Sequence, residues 1–487
     1  MTDTLTPVKP ARLIINGEAV DAASGQTFTT VNPATEEPIC AVAEAGPEDV
    51  ERAVQAARAA FDEGPWPKMK PAERQRILWK LGDLVLAHAD ELGRLETLDN
   101  GKPIFESRQI DVPMVAGCFH YFSGWATKLG GETVPVNPGY LTYTLREPLG
   151  VIGAIIPWNF PMIMVGWKCA PALAAGNTVV LKPAMETPLT AVRIGELALE
   201  AGLPPGVLNI VPGRGSVAGE ALVKHPRVDK ISFTGSTEVG QRIMREAAGT
   251  VKKLTLELGG KSPNIVFADA DQEAAVRGAS TGIFYGKGEV CAAGSRLLVE
   301  SSIHAEFVAR LSERAKKLVP ADPLDPKTRL GSLVNERQMR TVLGYVEAGV
   351  KEGARVVAGG QRQPVNGKGY FVQATVLDGV DNRMKVAQEE IFGPVLAVIP
   401  FDDVEDAVRK GNDILYGLAA GIWTRDVKKA HTVARRLRAG TVWVNMYNFY
   451  DPGMPFGGYK ASGFGRDLGA ESLRDYTQVK SVWVNLE

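Results

Sequence analysis

The chain has 487 residues, 45% hydrophobic and 23% charged, and its 55 Lys and Arg against 56 Asp and Glu leave a formal net charge of -1. That length predicts two or three domains, each able to bury a core, and the ordinary composition excludes a disordered or collagen-like chain. The cancelling charges give no global electrostatic case for nucleic acid or a membrane surface, so a soluble protein with neither as partner is expected.

Residues 1–13 carry Asp3, Pro7, Lys9 and Pro10 and no apolar core, unlike a secretory signal, and no stretch approaches the roughly 18 apolar residues of a membrane span. Apolar residues at Val50, Val54, Ala57 and Phe61 predict a helix over 47–61, opened by Pro47 in its first turn. A second helical run is predicted from Pro71 through Ile77, Leu81, Leu84 and Val85 toward Leu92. Residues 130–147 read as extended: Val134, Val136, Tyr140, Thr142 and Thr144 share one parity, while Leu141, Tyr143 and Leu145 take the other. This excursion is expected to pair outside the main body.

Short buried-looking strands follow at 151–156, 178–181, 207–211, 230–233 and 254–258, with helical segments between them. The best delimited helix runs over 187–201, with Pro188 at its first position and Gly202 and Pro204 after it. Strands alternating with helices predict a parallel, doubly wound sheet, the usual platform for a dinucleotide. From Asn264 a second series begins, with strands at 264–267, 296–300 and 395–400 and a helix over 304–318, which predicts a second α/β domain. The boundary near Gly259 and Gly260 reads as a turn.

The four cysteines, Cys40, Cys118, Cys169 and Cys291, lie far apart, with no CxxC and no histidine at zinc-ligand spacing. Neither a disulfide framework nor a metal site is expected, and a reducing cytoplasm fits. The five histidines are scattered and read as surface or satisfied core residues.

Four segments have the composition of a reactive site. In Phe233-Thr234-Gly235-Ser236-Thr237-Glu238-Val239-Gly240 a strand gives way to a helix, whose free N–H groups and partial positive charge suit an anion; a plain turn with a Ser or Thr cap is the other reading. Asn159, in Pro157-Trp158-Asn159-Phe160-Pro161, follows a strand and can aim a neutral amide into the crevice at the carboxyl ends of a parallel sheet, or simply form a turn. Glu257, in Leu256-Glu257-Leu258-Gly259-Gly260-Lys261, is a carboxylate between leucines, desolvated enough to serve as a base unless it points off an edge strand. Cys291, in Gly288-Glu289-Val290-Cys291-Ala292-Ala293-Gly294, has small residues on one side that would clear a path to the sulfur, although many free cysteines are only small buried hydrophobes.

Together these segments resemble the NAD(P)-dependent aldehyde dehydrogenase superfamily, and the likeness extends over nearly the whole chain through Gly176-Asn177-Thr178 with Lys182-Pro183, Glu389-Glu390-Ile391-Phe392-Gly393-Pro394, Trp443-Val444-Asn445 and Pro455-Phe456-Gly457-Gly458. The resemblance implies the α/β aldehyde dehydrogenase-like fold: a cofactor domain over 1–129 and 149–259, a catalytic domain over 260–460, and a small β oligomerisation element over 130–148 and 477–487. It implies a homo-oligomer of two or four subunits. It makes Cys291 the nucleophile and Glu257 the base, with Asn159 and the Cys291 N–H as the oxyanion hole. The aldehyde would be oxidised to an acid through a thiohemiacetal and a water-hydrolysed thioester. NAD or NADP would lie against Ile156, Pro157, Trp158, Lys182, Met185, Gly215, Phe233, Gly235, Ser236, Gly259, Glu390 and Phe392. Lys182 and Ser236 would meet ribose and pyrophosphate, and Lys168 and Asp467 would be structural or proton-relay groups.

Three departures qualify the likeness. Glu289 and Val290 stand where many members have glutamine and a small or sulfur residue, and Asp467 where glutamate is usual. Met185 occupies the place where NAD-preferring members hold a glutamate; Glu186, one residue on, is expected to point elsewhere, leaving both cofactors usable. Family tunnel positions make Phe160, Met164, Trp167, Val290, Phe449, Tyr450 and Phe456 the substrate lining, which suits an apolar aliphatic or aromatic aldehyde. A cationic aldehyde such as betaine aldehyde, held by aromatic rings near Asp451, is the alternative. A non-catalytic structural member and a coenzyme A-acylating enzyme are disfavoured by the presence of Cys291, Glu257 and Asn159.

Overall fold

The computed structural model describes residues 8–487, so residues 1–7 of the N-terminal stretch read against a secretory signal lie outside the described residues. Two large sheets dominate. The first has eight strands in the spatial order Glu18–Val20, Leu13–Ile15, Leu208–Ile210, Thr178–Lys182, Val151–Ile155, Lys230–Thr234, Lys253–Glu257 and Gly463–Phe464. The five from Leu208–Ile210 to Lys253–Glu257 are parallel, and the flanking strands join antiparallel. The Val151–Ile155 and Thr178–Lys182 strands are buried along their full length, as continuous apolar runs covered on both faces must be.

The second sheet runs Arg355–Ala358, Thr375–Asp378, Val395–Phe401, Arg296–Glu300, Pro263–Val266, Ala419–Trp423 and Thr441–Val444, parallel except for its first pair. Only five residues, 258–262, separate Lys253–Glu257, the last parallel strand of the first sheet in chain order, from Pro263–Val266 in this second sheet. The carboxyl end of one sheet therefore opens onto the first strand of the other. The helix Pro161–Ala174 is buried at every position and carries Met164, Trp167 and Lys168 under that opening; a helix apolar almost all round has no solvent face to offer.

Several sequence expectations shift. The long run from Pro71 breaks at His88 into Pro71–Ala87 and Ala89–Asn100. The helix expected over 187–201 starts at Leu189, with Pro188 outside it, because the orphan N–H of Leu189 is taken by Asp99 Oδ2 at 3.0 Å rather than by a local cap. The excursion is a strand only over Tyr140–Pro148, paired antiparallel in nine-residue register with Thr477–Asn485. Leu141 and Leu145 are exposed on one face of this pair, and Trp483, opposite Thr142, on the other. Among the described residues, no helix is long and apolar enough to cross a membrane.

Candidate active site

The segment before Cys291 is fixed by backbone conformation. After the helix Gln272–Phe284, three consecutive residues, Gly286, Lys287 and Gly288, adopt the left-handed region, with φ of 55°, 61° and 71°. At Gly288 a Cβ would lie 2.1 Å from the carbonyl oxygen of Gly393, so that turn requires glycine twice over. Cys291 emerges half-buried at the meeting point of two cavities, whereas Cys118 and Cys169 are wholly buried. Burial pushes the Cys291 thiol up to about 12, with the Glu390 and Glu257 carboxyls acting in the same sense; the backbone amides of Ala292 and Cys291 favour the thiolate.

Glu257 ends the Lys253–Glu257 strand and lines the same cavity as Cys291, Asn159 and Glu390. Its side chain is 4% exposed and neither carboxyl oxygen has a hydrogen-bond partner. A Cβ on Gly457 would come within 2.6 Å of Oε1, so the carboxyl occupies space that the glycine leaves open. Burial holds Glu257 well above the usual carboxyl range, Asp467 raises it further, and Lys168 and Arg466 oppose the rise. Lys168 and Asp467, expected at the site, form an ion pair of 2.6 Å behind the cavity walls. They act on Glu257 through space. Asp467 is also tied to the tunnel, since its N–H and C=O exchange hydrogen bonds with Phe456 at 2.8 and 2.7 Å.

The Asn159 amide is already oriented: Nδ2 donates to the carbonyl oxygen of Glu289 at 2.8 Å, which leaves its second N–H for another acceptor. The turn holding it is anchored by Asn100, whose Nδ2 donates to the carbonyls of Trp158 at 2.8 Å and Asn159 at 3.4 Å. Sequence reasoning missed Asn100 and Gln338. The latter lines the Cys291 cavity and donates from Nε2 to the Phe392 carbonyl at 2.7 Å. Each contact spans more than 50 residues, and no local pattern marks it.

On the other side a crevice of about 670 Å³ follows the carboxyl ends of the parallel strands. It is lined by Ile156, Pro157, Trp158, Lys182, Met185, Gly215, Phe233, Gly235 and Ser236, while Gly259, Glu390 and Phe392 line its continuation toward Cys291. Ser236 caps the eleven-residue helix Thr237–Ala247, its Oγ accepting from the Val239 N–H, so the first-turn amides face the crevice. Glu390 Oε1 accepts the Gly260 N–H at 2.9 Å, and burial lifts its carboxyl to about 7. Phe392, at φ 58°, sets its ring edge-on to Trp158 at 5.2 Å.

Lys182 lines the crevice with Nζ donating to the Pro183 and Gly213 carbonyls at 2.6 and 3.1 Å, and burial brings the ammonium down to about 8. One expectation needs correction here. Glu186 does not point elsewhere; it lines the crevice together with Met185, because residues 183–187 form an irregular turn in which strand alternation does not apply. Its Oε1 lies 3.9 Å from the exposed Arg337 guanidinium.

The second cavity, about 410 Å³, has Cys291 at one end and is lined by all seven expected residues, Phe160, Met164, Trp167, Val290, Phe449, Tyr450 and Phe456, together with Ile110, Met114, Tyr285 and Tyr447. Trp167, Tyr450 and Phe456 pack ring to ring at 5.3–5.8 Å, and Phe449, 69% exposed, stands at the mouth. No charged side chain lines it. Asp451 is outside the lining, its Oδ1 accepting the Gly453 N–H at 2.7 Å, so the aromatic rings of the tunnel stand without that carboxylate beside them.

The chain is similar to known proteins over nearly its whole length. A model of the aldehyde dehydrogenase family matches residues 19–482. The mitochondrial aldehyde dehydrogenase of Homo sapiens is 49% identical over 478 residues, covering 98% of this chain and 92% of that protein. The NAD+ complex of an aldehyde dehydrogenase from Bacillus cereus superposes with a TM-score of 0.97 at 49% identity, covering 98% of this chain and 97% of that one. An indole-3-acetaldehyde dehydrogenase of P. syringae, solved with NAD+ and IAA, gives a TM-score of 0.96 at 47% identity, with 98% and 97% coverage.

Proposed function

Since the chain belongs to the aldehyde dehydrogenase family and oxidises aldehydes to carboxylic acids, we propose that Cys291 is the nucleophile, Asn159 an oxyanion donor and Glu257 the base of that reaction. The observation that carries these roles is the position of Cys291, in the wall of both cavities, with Asn159 and Glu257 lining the one that leads to the crevice. The thiolate adds to the aldehyde carbon, and the negative charge that develops on oxygen meets the free Asn159 N–H and the Cys291 backbone N–H. The residues of the long crevice would hold NAD, which when bound would supply the hydride acceptor that oxidation of the adduct to a thioester requires. Glu257 then removes a proton from water as it attacks the thioester, releasing the acid and the thiolate.

The crevice fits a dinucleotide on its own features: a helix N-terminus, a floor of glycine and small residues, and the oriented Glu390 carboxyl in its continuation. NAD is the cofactor the lining favours, since Glu186 can accept from ribose hydroxyls and repels a 2′-phosphate; NADP remains usable beside the exposed Arg337. The uncharged aromatic tunnel supports apolar aliphatic or aromatic aldehydes as substrates, in keeping with the indole-3-acetaldehyde dehydrogenase among the solved structures. A homo-oligomer assembled through the exposed faces of Tyr140–Pro148 and Thr477–Asn485, and a reducing cytoplasm suited to four unpaired cysteines, complete the proposal. The division into a cofactor domain over 1–129 and 149–259 and a catalytic domain over 260–460 belongs to the same reading.

The test is mass spectrometry of Glu257→Gln quenched during turnover with NAD and phenylacetaldehyde. An acyl group on the Cys291 peptide is expected, and its absence with the label elsewhere would overturn the assignment. Steady-state rates with hexanal, phenylacetaldehyde and betaine aldehyde decide the substrate class: the first two are expected to exceed the third, and the reverse order would refute the apolar reading.

A further inference from the structure

Lys287 and Glu289 have no part in the chemistry above, yet both are fully buried within four residues of Cys291. Lys287 is the only member of the left-handed triplet that is not glycine, and such backbone persists only where its surroundings over-determine it. Its ammonium supplies that. Nζ donates to Asn100 Oδ1 at 2.7 Å and to the Asn100 carbonyl at 2.9 Å, and lies 2.7 Å from Glu289 Oε2. The other Glu289 oxygen accepts the Val334 N–H at 3.1 Å.

These two partners of the ammonium are the two groups that hold Asn159. Asn100 grips the backbone of residues 158 and 159 from below, and the Glu289 carbonyl takes one N–H of the Asn159 side chain. We propose that Lys287 is a positioning residue which, through Asn100 and Glu289, locks the loop bearing Cys291 to the turn bearing Asn159 and so fixes the spacing of the oxyanion pocket. A buried ion pair is weak as a source of net stability, because desolvation offsets most of its attraction. Its value here is geometric: displacing an oxyanion donor by about 1 Å is enough to cost roughly 100-fold in rate. This inference rests on Asn159 being the oxyanion donor.

The experiment compares two variants that both remove the ion pair without stranding a buried charge. Lys287→Gln with Glu289→Gln keeps an amide able to reach Asn100, while Lys287→Met with Glu289→Gln does not. Each is made in the wild-type and the Asn159→Ala background. The readouts are the stopped-flow rate of the first hydride transfer, KM for phenylacetaldehyde, Kd for NAD and thermal unfolding. The methionine variant is expected to slow the first turnover by roughly 10- to 100-fold at unchanged KM and Kd, and the glutamine variant to stay within about threefold of wild type. In the Asn159→Ala background the methionine variant should add less than about twofold, since the group it positions is gone. Equal rates for the two variants, or a full additional loss in the Asn159→Ala background, would overturn the clamp, as would failure of the methionine variant alone to fold, which would make Lys287 a folding residue. If Asn159→Ala itself leaves the first turnover unchanged, the oxyanion assignment beneath the inference fails instead.

Discussion

Replacing Glu257 with glutamine separates the cost of burying an unpartnered carboxyl from its use. The folded-state pKa of Glu257 is raised well above its usual 4.5 by burial and by Asp467. The proton therefore binds more tightly in the folded than in the unfolded state. The stability this contributes is fully present below pH 4.5 and is lost as pH rises through the raised folded value, at about 1.4 kcal/mol per pH unit inside that window. Glutamine does not titrate, and its own unpartnered amide adds only an offset of about 1–3 kcal/mol that is constant with pH. With an unfolding entropy of about 2 cal/mol/K per residue, a chain of this length shifts Tm by about 1 °C per kcal/mol. Scanning calorimetry at half-unit steps from pH 5 to 9, at one scan rate, should therefore show the Tm of the variant gaining on the wild type by about 1.4 °C per pH unit until the carboxyl is ionised. A difference flat across the series would show that the carboxyl ionises without penalty and would refute the desolvation argument. The same variant should release about one NADH per subunit in a burst, followed by a slow phase. Loss of the burst itself would transfer the role of Glu257 to deprotonating Cys291.

Cys291→Ala should abolish turnover and leave the Kd for NAD, read by fluorescence titration, unchanged; residual steady-state oxidation above about one part in a thousand would contradict the covalent route. Glu186→Gln should lower the ratio of kcat/KM with NAD to that with NADP by roughly tenfold, about 1.4 kcal/mol, and Met185→Glu should raise it; an unmoved ratio in both would show that neither side chain reads the ribose. Gly288→Ala places a Cβ 2.1 Å from the Gly393 carbonyl at φ 71°, so a loss of at least about 2 kcal/mol in urea unfolding is expected, and wild-type stability would mean that the turn rearranges freely.

What the sequence made legible follows from what is local. Strand ends, helix starts and the residues just after them lie next to one another in the chain, so alternation puts Asn159, Glu257 and the segment before the helix Thr237–Ala247 at strand ends, with a plain turn or an edge strand as the other reading until the family likeness is added. The chemistry of Cys291 was not readable that way, since a half-buried thiol and a wholly buried one have the same sequence context; the family likeness singled it out, and the cavities give the physical contrast with Cys118 and Cys169. Glu186 departs from the expectation because residues 183–187 form a turn, where strand alternation has no force.

The rest of the site was illegible for one physical reason. Buried charges have to be matched by partners that pack against them in space, and those partners come from distant parts of the chain: Lys287 meets Asn100 across 187 residues, Lys168 meets Asp467 across 299, and Asn159 meets Glu289 across 130. In sequence none of these partnerships is marked. Once buried, each of these residues must be paired, because an isolated charge or amide there would cost several kcal/mol. Under the proposed roles the pairing also bears on function, since the groups that satisfy one another hold the Asn159 amide and the Cys291 loop. Glu257 is the exception, and the proposed base role makes use of it: it alone among the residues assigned to the reaction is left with both side-chain oxygens unpartnered, so no hydrogen bond competes with water for its carboxylate.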